Sequence, residues 1–230
     1  MPAQWQGQRK DPARGCALDA RILVFGRAPV AGAAKTRLIP ALGAQGAARL
    51  HQRLLEDTVG RLCAAGLARV ELWVTPDDRH PCFVGLAAHW PLDLHIQQGP
   101  DLGARLAHAA RSALTRAAVV ILVGTDCPGL SPDYLSAALA ELEHRDAVLG
   151  PALDGGYCLL GLRSVDDTLF ERMPWGSDQV AELTGQRLDA LGWPWSRLAP
   201  LRDIDRPEDL VYLPAAFGLP PPALRSAHPG

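Results

Sequence analysis

Arg21-Ile-Leu-Val-Phe-Gly-Arg-Ala-Pro-Val-Ala-Gly-Ala-Ala-Lys-Thr-Arg-Leu38 is the stretch whose reading decides the fold. Ile22, Leu23, Val24 and Phe25 form an unbroken apolar run, as a strand buried on both faces of a parallel sheet does. The run stops at Gly26, and a loop with Pro29 and Gly32 leads to Lys35-Thr36-Arg37. Arg27, Lys35 and Arg37 thus fall at or just past the carboxyl end of a first strand, where open α/β sheets bind ligands. Three cations on a glycine-containing turn suit a polyphosphate, because backbone N–H groups and point charges can address the same oxygens. The same residues also fit an ordinary solvated loop. Two familiar nucleotide loops are excluded. Ala33 and Ala34 separate Gly32 from Lys35, which breaks a P-loop, and Arg27-Ala28-Pro29 replaces the second glycine of a dinucleotide fingerprint.

Working outward, Ala47, Leu50, Leu54, Leu55, Val59 and Leu62 recur at helical spacing up to Gly66. Strands are expected at Val70 to Val74 and Leu92 to Ile96, with a short helix from Cys82 to Trp90 between them. Gln97-Gln-Gly-Pro-Asp-Leu-Gly-Ala-Arg105 opens a helix marked by Leu102, Leu106, Ala109, Ala110 and Ala113. Ala118 to Val123 is the clearest strand, and Ser131-Pro132 reads as an N-cap with proline at the first helical position. This alternation indicates βαβ units and a mostly parallel sheet. Tyr157 to Leu162 follows Ala147 to Leu149 too closely for a crossover helix, so an antiparallel strand is expected to enter there. Ser177 is expected to cap a further helix through Val180, Leu183 and Leu188. A last strand is expected near Leu198 to Leu201, then a terminal helix after Asp203-Ile-Asp205. Residues 1–20 and 219–230 read as tails around one domain, 21–218.

A 230-residue chain with net charge −2 supports one well-packed domain and carries no basic run for nucleic acid. No apolar stretch approaches the ~20 residues of a membrane span, and the first residues lack a signal-peptide core. The five cysteines are scattered without a C-x-x-C pair, so neither a disulfide framework nor a zinc site is indicated. A cytoplasmic location is the simplest expectation. The seven histidines show no metal or triad spacing, and no Gly-x-Ser-x-Gly elbow exists.

Asp126, in Gly124-Thr-Asp-Cys-Pro128, follows the strongest strand on the same edge as the cationic loop. One carboxylate there can hold Mg²⁺ or Mn²⁺, which take one or two carboxylates beside phosphate oxygens; a turn or N-cap aspartate would look the same. Asp203-Ile-Asp205 can supply a second ligand if the chain returns to this edge. Gly155 and Gly156 before Tyr157 fit either a hairpin turn or a close ligand approach, and Trp175 fits either a core residue or a stacking surface.

In combination, Phe25 to Leu38, Gln97 to Arg105, Gly124 to Pro128, Gly150 to Tyr157, Pro174-Trp175 and Asp203 to Leu210 resemble a bacterial family. Its members are labelled glycosyltransferases of the glycosyltransferase-A fold, are related to 2-phospho-L-lactate guanylyltransferase and belong to the nucleotide-diphospho-sugar transferase superfamily. The resemblance implies a single three-layer, Rossmann-like α/β domain, with a mostly parallel sheet, an antiparallel strand and a nucleotide at the carboxyl edge. Gly26, Arg27, Lys35, Arg37, Asp101 and Arg105 would bind it. Asp126 and Asp205 would hold Mg²⁺ or Mn²⁺. Lys35 and Asp154 would be catalytic, and Gly155, Gly156, Tyr157 and Trp175 would face a small-molecule acceptor. Asp126 stands alone where many such glycosyltransferases carry Asp-x-Asp, a pattern closer to nucleotidyltransferases. Glycosyl transfer from a nucleotide sugar is the leading expectation. Nucleotidyl transfer from a nucleoside triphosphate and a nonenzymatic nucleotide-binding regulator are the alternatives.

Overall fold

The computed structural model describes residues 18–217. The tail expected at the N-terminus, up to residue 17, and the proline-rich C-terminal end, from 218, lie outside the described residues. β1 (Ala20–Arg27) begins inside the expected tail: Ala20 is buried, and Leu18 packs against the core.

β2 (Arg69–Thr75), β3 (Leu92–Ile96), β4 (Val119–Val123), β5 (Ala147–Pro151), β6 (Tyr157–Leu162) and β7 (Trp195–Arg197) complete one seven-stranded sheet of order β3-β2-β1-β4-β6-β5-β7. β1 pairs parallel with β2 on one side and β4 on the other. β6 runs antiparallel to both β4 and β5, as the short 152–156 connection demands. The helices are α1 (Ile39–Ala65), α2 (Pro81–His89), α3 (Leu102–Leu114), α4 (Pro132–Leu142) and α5 (Val180–Ala190). Ile22 and Val24 pack with α1, α2 and α4 on one face. Leu23 packs with α3 and α5 on the other. Helices on both faces are why Ile22 to Phe25 of β1 are apolar at every position rather than at alternate ones. α1 closes on Gly66 in the left-handed conformation at φ 61°, and Ser131 Oγ accepts from Tyr134 N to cap α4.

Some local expectations are corrected. The last strand lies at Trp195–Arg197, and only an isolated bridge, Ala152 to Leu201, reaches the region expected to hold it. The segment after Asp205 is a six-residue 3-10 turn, Pro207–Tyr212, not a helix of several turns. α5 starts one residue after Gln179, its N-cap; Ser177 Oγ accepts only from Gln179 N. Leu102 is 41% exposed and faces the groove described below, leaving Leu106 and the alanines to anchor α3.

A third, smaller cluster positions the site. Ile204 is buried with Leu38, Leu50, Leu54 and Leu210, and its N–H donates to the Asp126 carbonyl at 2.8 Å. Burying one apolar residue against α1 therefore returns the chain's end to the carboxyl ends of β1 and β4. No helix among the described residues is long and apolar enough to cross a membrane.

Candidate active site

Strand order reverses between β1 and β4, since β2 and β3 extend the sheet on one side and β6 on the other. The crevice outside such a switch point is where this architecture binds ligands. A groove of about 880 Å³ opens there. One wall holds Gly26, Arg27, Lys35 and Arg37; Thr125 and Asp126 form the floor; the far wall holds Asp154, Tyr157 and Trp175.

Lys35 is the centre of the charged wall. Its backbone is left-handed at φ 48°, a conformation unfavourable for a residue with a side chain and kept where surroundings impose it. Its side chain is 3% exposed, and Nζ lies 2.9 Å from Asp126 Oδ2 and 3.5 Å from Asp205 Oδ1. Nζ also donates to the Ile204 carbonyl at 2.5 Å. Burial opposes its charge, but the Asp126 and Asp205 carboxylates prevail and hold the ammonium above its ordinary value. Arg37 donates to the other oxygen of Asp205 at 2.6 Å. Arg27 is exposed at the rim.

Three oxygens thus converge on one buried nitrogen: two carboxylate and one carbonyl. Asp126 Oδ1 is buried with no partner. An all-oxygen donor set with a spare carboxylate oxygen suits a hard cation such as Mg²⁺ or Mn²⁺, and Lys35 Nζ supplies the positive charge among these oxygens in the structure. The donor set therefore fits the implied metal, provided the ammonium moves aside.

His51 was not singled out by the sequence. It sits on the inward stripe of α1 between Leu50 and Leu54, 8% exposed, and lines the groove. Nε2 lies 3.0 Å from the Arg27 carbonyl. A carbonyl only accepts, so Nε2 carries the proton and Nδ1, buried and unpartnered, is an acceptor. Burial outweighs the Asp126 carboxylate and holds the imidazole below its ordinary value. A polar residue interrupting an apolar helical stripe was the available signal. Gln97, just after β3, also lines the groove: Nε2 donates to the Gly26 and Trp73 carbonyls at 3.2 and 2.9 Å, which turns its amide oxygen away from them.

Asp101 does not line the groove. Its carboxylate accepts from Ala104 N at 2.8 Å, capping α3 and fixing the turn from which Arg105 reaches the groove. Gly155 does not line it either. At φ 91°, a Cβ there would fall 2.2 Å from the Asp178 carbonyl oxygen, so this glycine lets the turn dock against the residues before α5. Gly156 does line the groove and donates to Asp154 Oδ1 at 2.9 Å. Tyr157 and Trp175 meet edge to face with centroids 6.1 Å apart, and burial pushes the Tyr157 phenol well up. Beside the floor, contact with Cys158 and then burial push the Cys127 thiol far up, so it offers no thiolate nucleophile.

Asp154, Asp178, Asp203 and Asp205 line an adjoining cleft of about 350 Å³. Burial, then the Asp154 carboxylate, pushes Asp203 up to about 6.

Residues 58–177 match the family described as an uncharacterized protein conserved in bacteria, DUF2064. The chain belongs to the DUF2064 family. The matched span holds Asp126, Asp154, Tyr157 and Trp175, while the cationic loop and Asp205 lie outside it. A Desulfovibrio desulfuricans G20 protein, provisionally described as a nucleotide-diphospho-sugar transferase, is 31% identical, with 82% of this chain and 83% of that one covered and a TM-score of 0.75. A cytidylyltransferase from Leptospira borgpetersenii serovar Hardjo-bovis superposes with a TM-score of 0.55 at 15% identity, over 84% of each chain. The 4-diphosphocytidyl-2C-methyl-D-erythritol synthase of Anaerococcus prevotii DSM 20548 does so at 0.57 and 9% identity, over 87% of this chain and 96% of that one. At these identities the last two show that this DUF2064 member shares their fold.

Proposed function

We propose that the protein is a metal-dependent glycosyltransferase that moves a sugar from a nucleotide-diphospho-sugar to a small acceptor. The observation that carries this reading is the convergence of Asp126, Asp205 and the Ile204 carbonyl on the buried Lys35 ammonium at the switch point of the sheet. The description of the Desulfovibrio relative supports it. The nucleotide would lie along the wall of Gly26, Arg27, Arg37 and Arg105. Mg²⁺ or Mn²⁺, held by Asp126 and Asp205, would offset the charge of the departing diphosphate. Lys35, exchanged out of the carboxylates, would place its ammonium on a donor phosphate. Asp154 sits at the far rim, its Oδ1 fixed by Gly156 N, and would take the proton of the attacking hydroxyl.

A second reading, nucleotidyl transfer, draws on the same wall. Arg27, Arg37 and Arg105 can also meet the β- and γ-phosphates of a triphosphate, and Asp126 stands without an Asp-x-Asp partner. The two reactions differ in what leaves. Incubation with a panel of nucleotide sugars and a cell extract is expected to release nucleoside diphosphate, with turnover lost in Asp154→Asn. Pyrophosphate release from a triphosphate, with nucleotide sugars inert, would make the enzyme a nucleotidyltransferase. Nucleotide binding without turnover of any donor would make it a regulator.

A further inference from the structure

The groove's charges are sorted by wall. Among the described residues, all its cations, Arg27, Lys35, Arg37 and Arg105, come from the end of β1, the loop after it and the start of α3. The wall built by 154–180 contributes Asp154, Tyr157, Trp175, Ser177 and Val180 to the lining, and no cation. Beyond Asp154 the field becomes more negative. In the adjoining cleft five aspartates face three arginines, of which Arg37 is held by Asp205 and Arg202 lies 3.8 Å from Asp209 and stacks on Tyr212. The bench on this wall is apolar and rigid. Trp175 meets Tyr157 edge to face, and a Cβ on Gly103 of α3 would lie 3.2 Å from Trp175 Nε1, so α3 and the loop carrying Trp175 are in close contact.

A phosphorylated acceptor seated on Tyr157 and Trp175 would bring its dianion beside Asp154, with no guanidinium or ammonium of the 154–180 wall lining the groove to meet it. Repulsion between like charges at such distances is substantial even where solvent screens it. Aromatic rings, by contrast, take an apolar or aromatic face by stacking and area burial. Resting on the glycosyltransferase reading, we infer that the acceptor is an uncharged hydroxyl compound with an apolar or aromatic face, seated on Trp175 and Tyr157 with its hydroxyl toward Asp154. In the transfer, the acceptor oxygen bonds to the sugar's anomeric carbon as its proton passes to the Asp154 carboxylate. The bond from that carbon to the diphosphate oxygen breaks, and the nucleoside diphosphate leaves with the electron pair.

The test uses a matched pair of probes, phenyl β-glucoside and its 6-phosphate, on the full chain saturated with a nucleoside diphosphate and Mg²⁺. Saturation-transfer NMR is expected to show the neutral probe binding at least ~10-fold more tightly than the phosphate. Trp175→Ala should abolish binding of the neutral probe while calorimetric nucleotide affinity stays unchanged. Should Trp175→Ala not fold, Asp154→Arg, at an exposed turn, is expected to draw in the 6-phosphate and reverse the preference. Equal or tighter binding of the phosphorylated probe, no binding of either probe, or an unaltered preference in Asp154→Arg each overturns the inference. Failure of nucleotide binding itself is read separately by calorimetry and strikes the underlying reading.

Discussion

Two charge clusters adjoin the same sheet, and they are finished differently. On the face covered by α3, Glu71 is fully buried, with Oε1 accepting from Arg21 at 2.9 Å and lying 3.2 Å from Arg116. Its Oε2 accepts from Trp73 Nε1 at 3.1 Å, with His95 stacked on Trp73 at 4.6 Å between centroids. At the carboxyl edge, Lys35 joins Asp126 and Asp205, but Asp126 Oδ1 has no partner and the Asp126 side chain is 44% exposed. Glu71, Asp93 and His95 approach one another closely enough to hold a metal ion. The two guanidiniums already neutralise Glu71, however, and would repel a divalent cation. The Lys35 cluster holds one guanidinium, Arg37 on Asp205, and otherwise only the Lys35 ammonium. A carboxylate with both oxygens occupied fastens the sheet, whereas one with a free oxygen faces a groove.

The largest effect that separates the two is on stability. Glu71→Gln strips the charge that compensates Arg21, itself only 8% exposed, and removing one partner of a buried pair costs about 3–5 kcal/mol. The lower end is expected, because Asp93 lies 3.7 Å from Arg21 and retains some compensation. Urea denaturation should show this loss with nucleotide affinity unchanged. A loss under about 1 kcal/mol, the range of ordinary substitutions, would mean that the cluster is not a fastening.

Lys35→Ala should act the other way round. Hydrogen bonds to charged groups contribute about 1.5–3 kcal/mol, so nucleotide affinity is expected to fall roughly ten- to a hundredfold with the fold retained. Because Asp126 then lacks its cation and Asp205 keeps only Arg37, Mg²⁺ should raise the variant's Tm more than the parent's. Unchanged affinity by calorimetry would remove the loop from the mechanism. A narrower effect belongs to Asp126→Asn, which should leave nucleotide affinity indifferent to EDTA, since an amide does not replace a carboxylate toward a hard cation. Metal dependence that survives in this variant would shift the ligand role to Asp205 and Asp203.

Much of this was legible in the chain because local rules agreed with the global ones. The apolar runs at Ile22 to Phe25 and Val119 to Val123 could only be doubly covered strands, and the five-residue gap before Tyr157 forced β6 to run antiparallel. The site was legible as a set of motifs but not as a geometry. Lys35 reads in sequence as a free phosphate cation, yet two of its three partners, Ile204 and Asp205, lie 169 and 170 residues away, brought back by the burial of Ile204. Asp101 is expected from the resemblance to bind nucleotide, and its capping of α3 through the Ala104 N–H is visible only in the structure. The 195–201 region misled because a three-residue edge strand has too few positions to show a period.

The smallest effect separates two groups of the open cluster by the sign of their pH dependence. His51 has a folded pKa below its unfolded value of about 6.5. The unfolded chain then binds more protons as the pH falls below that value, so its contribution to stability is full above about 6.5 and is lost on acidification. Asp203 runs in the opposite direction. Its folded pKa of about 6 exceeds the unfolded 3.8, so the native state holds more protons between these values and stability falls as pH rises through that window, then levels off. Because Asp203 is half exposed, solvent discounts the nominal shift, and about 1 kcal/mol or less is expected. The two slopes oppose each other where their windows overlap below about pH 6, and there they mask one another in the parent protein. Asp203→Asn removes one of them. Urea midpoints should then show the variant gaining on the parent from about pH 4 to 6 and holding its advantage above. A constant difference between variant and parent across the window would show that Asp203 titrates as it does in the unfolded chain, and that the carboxylates beside Asp154 do not repel one another in the native cleft.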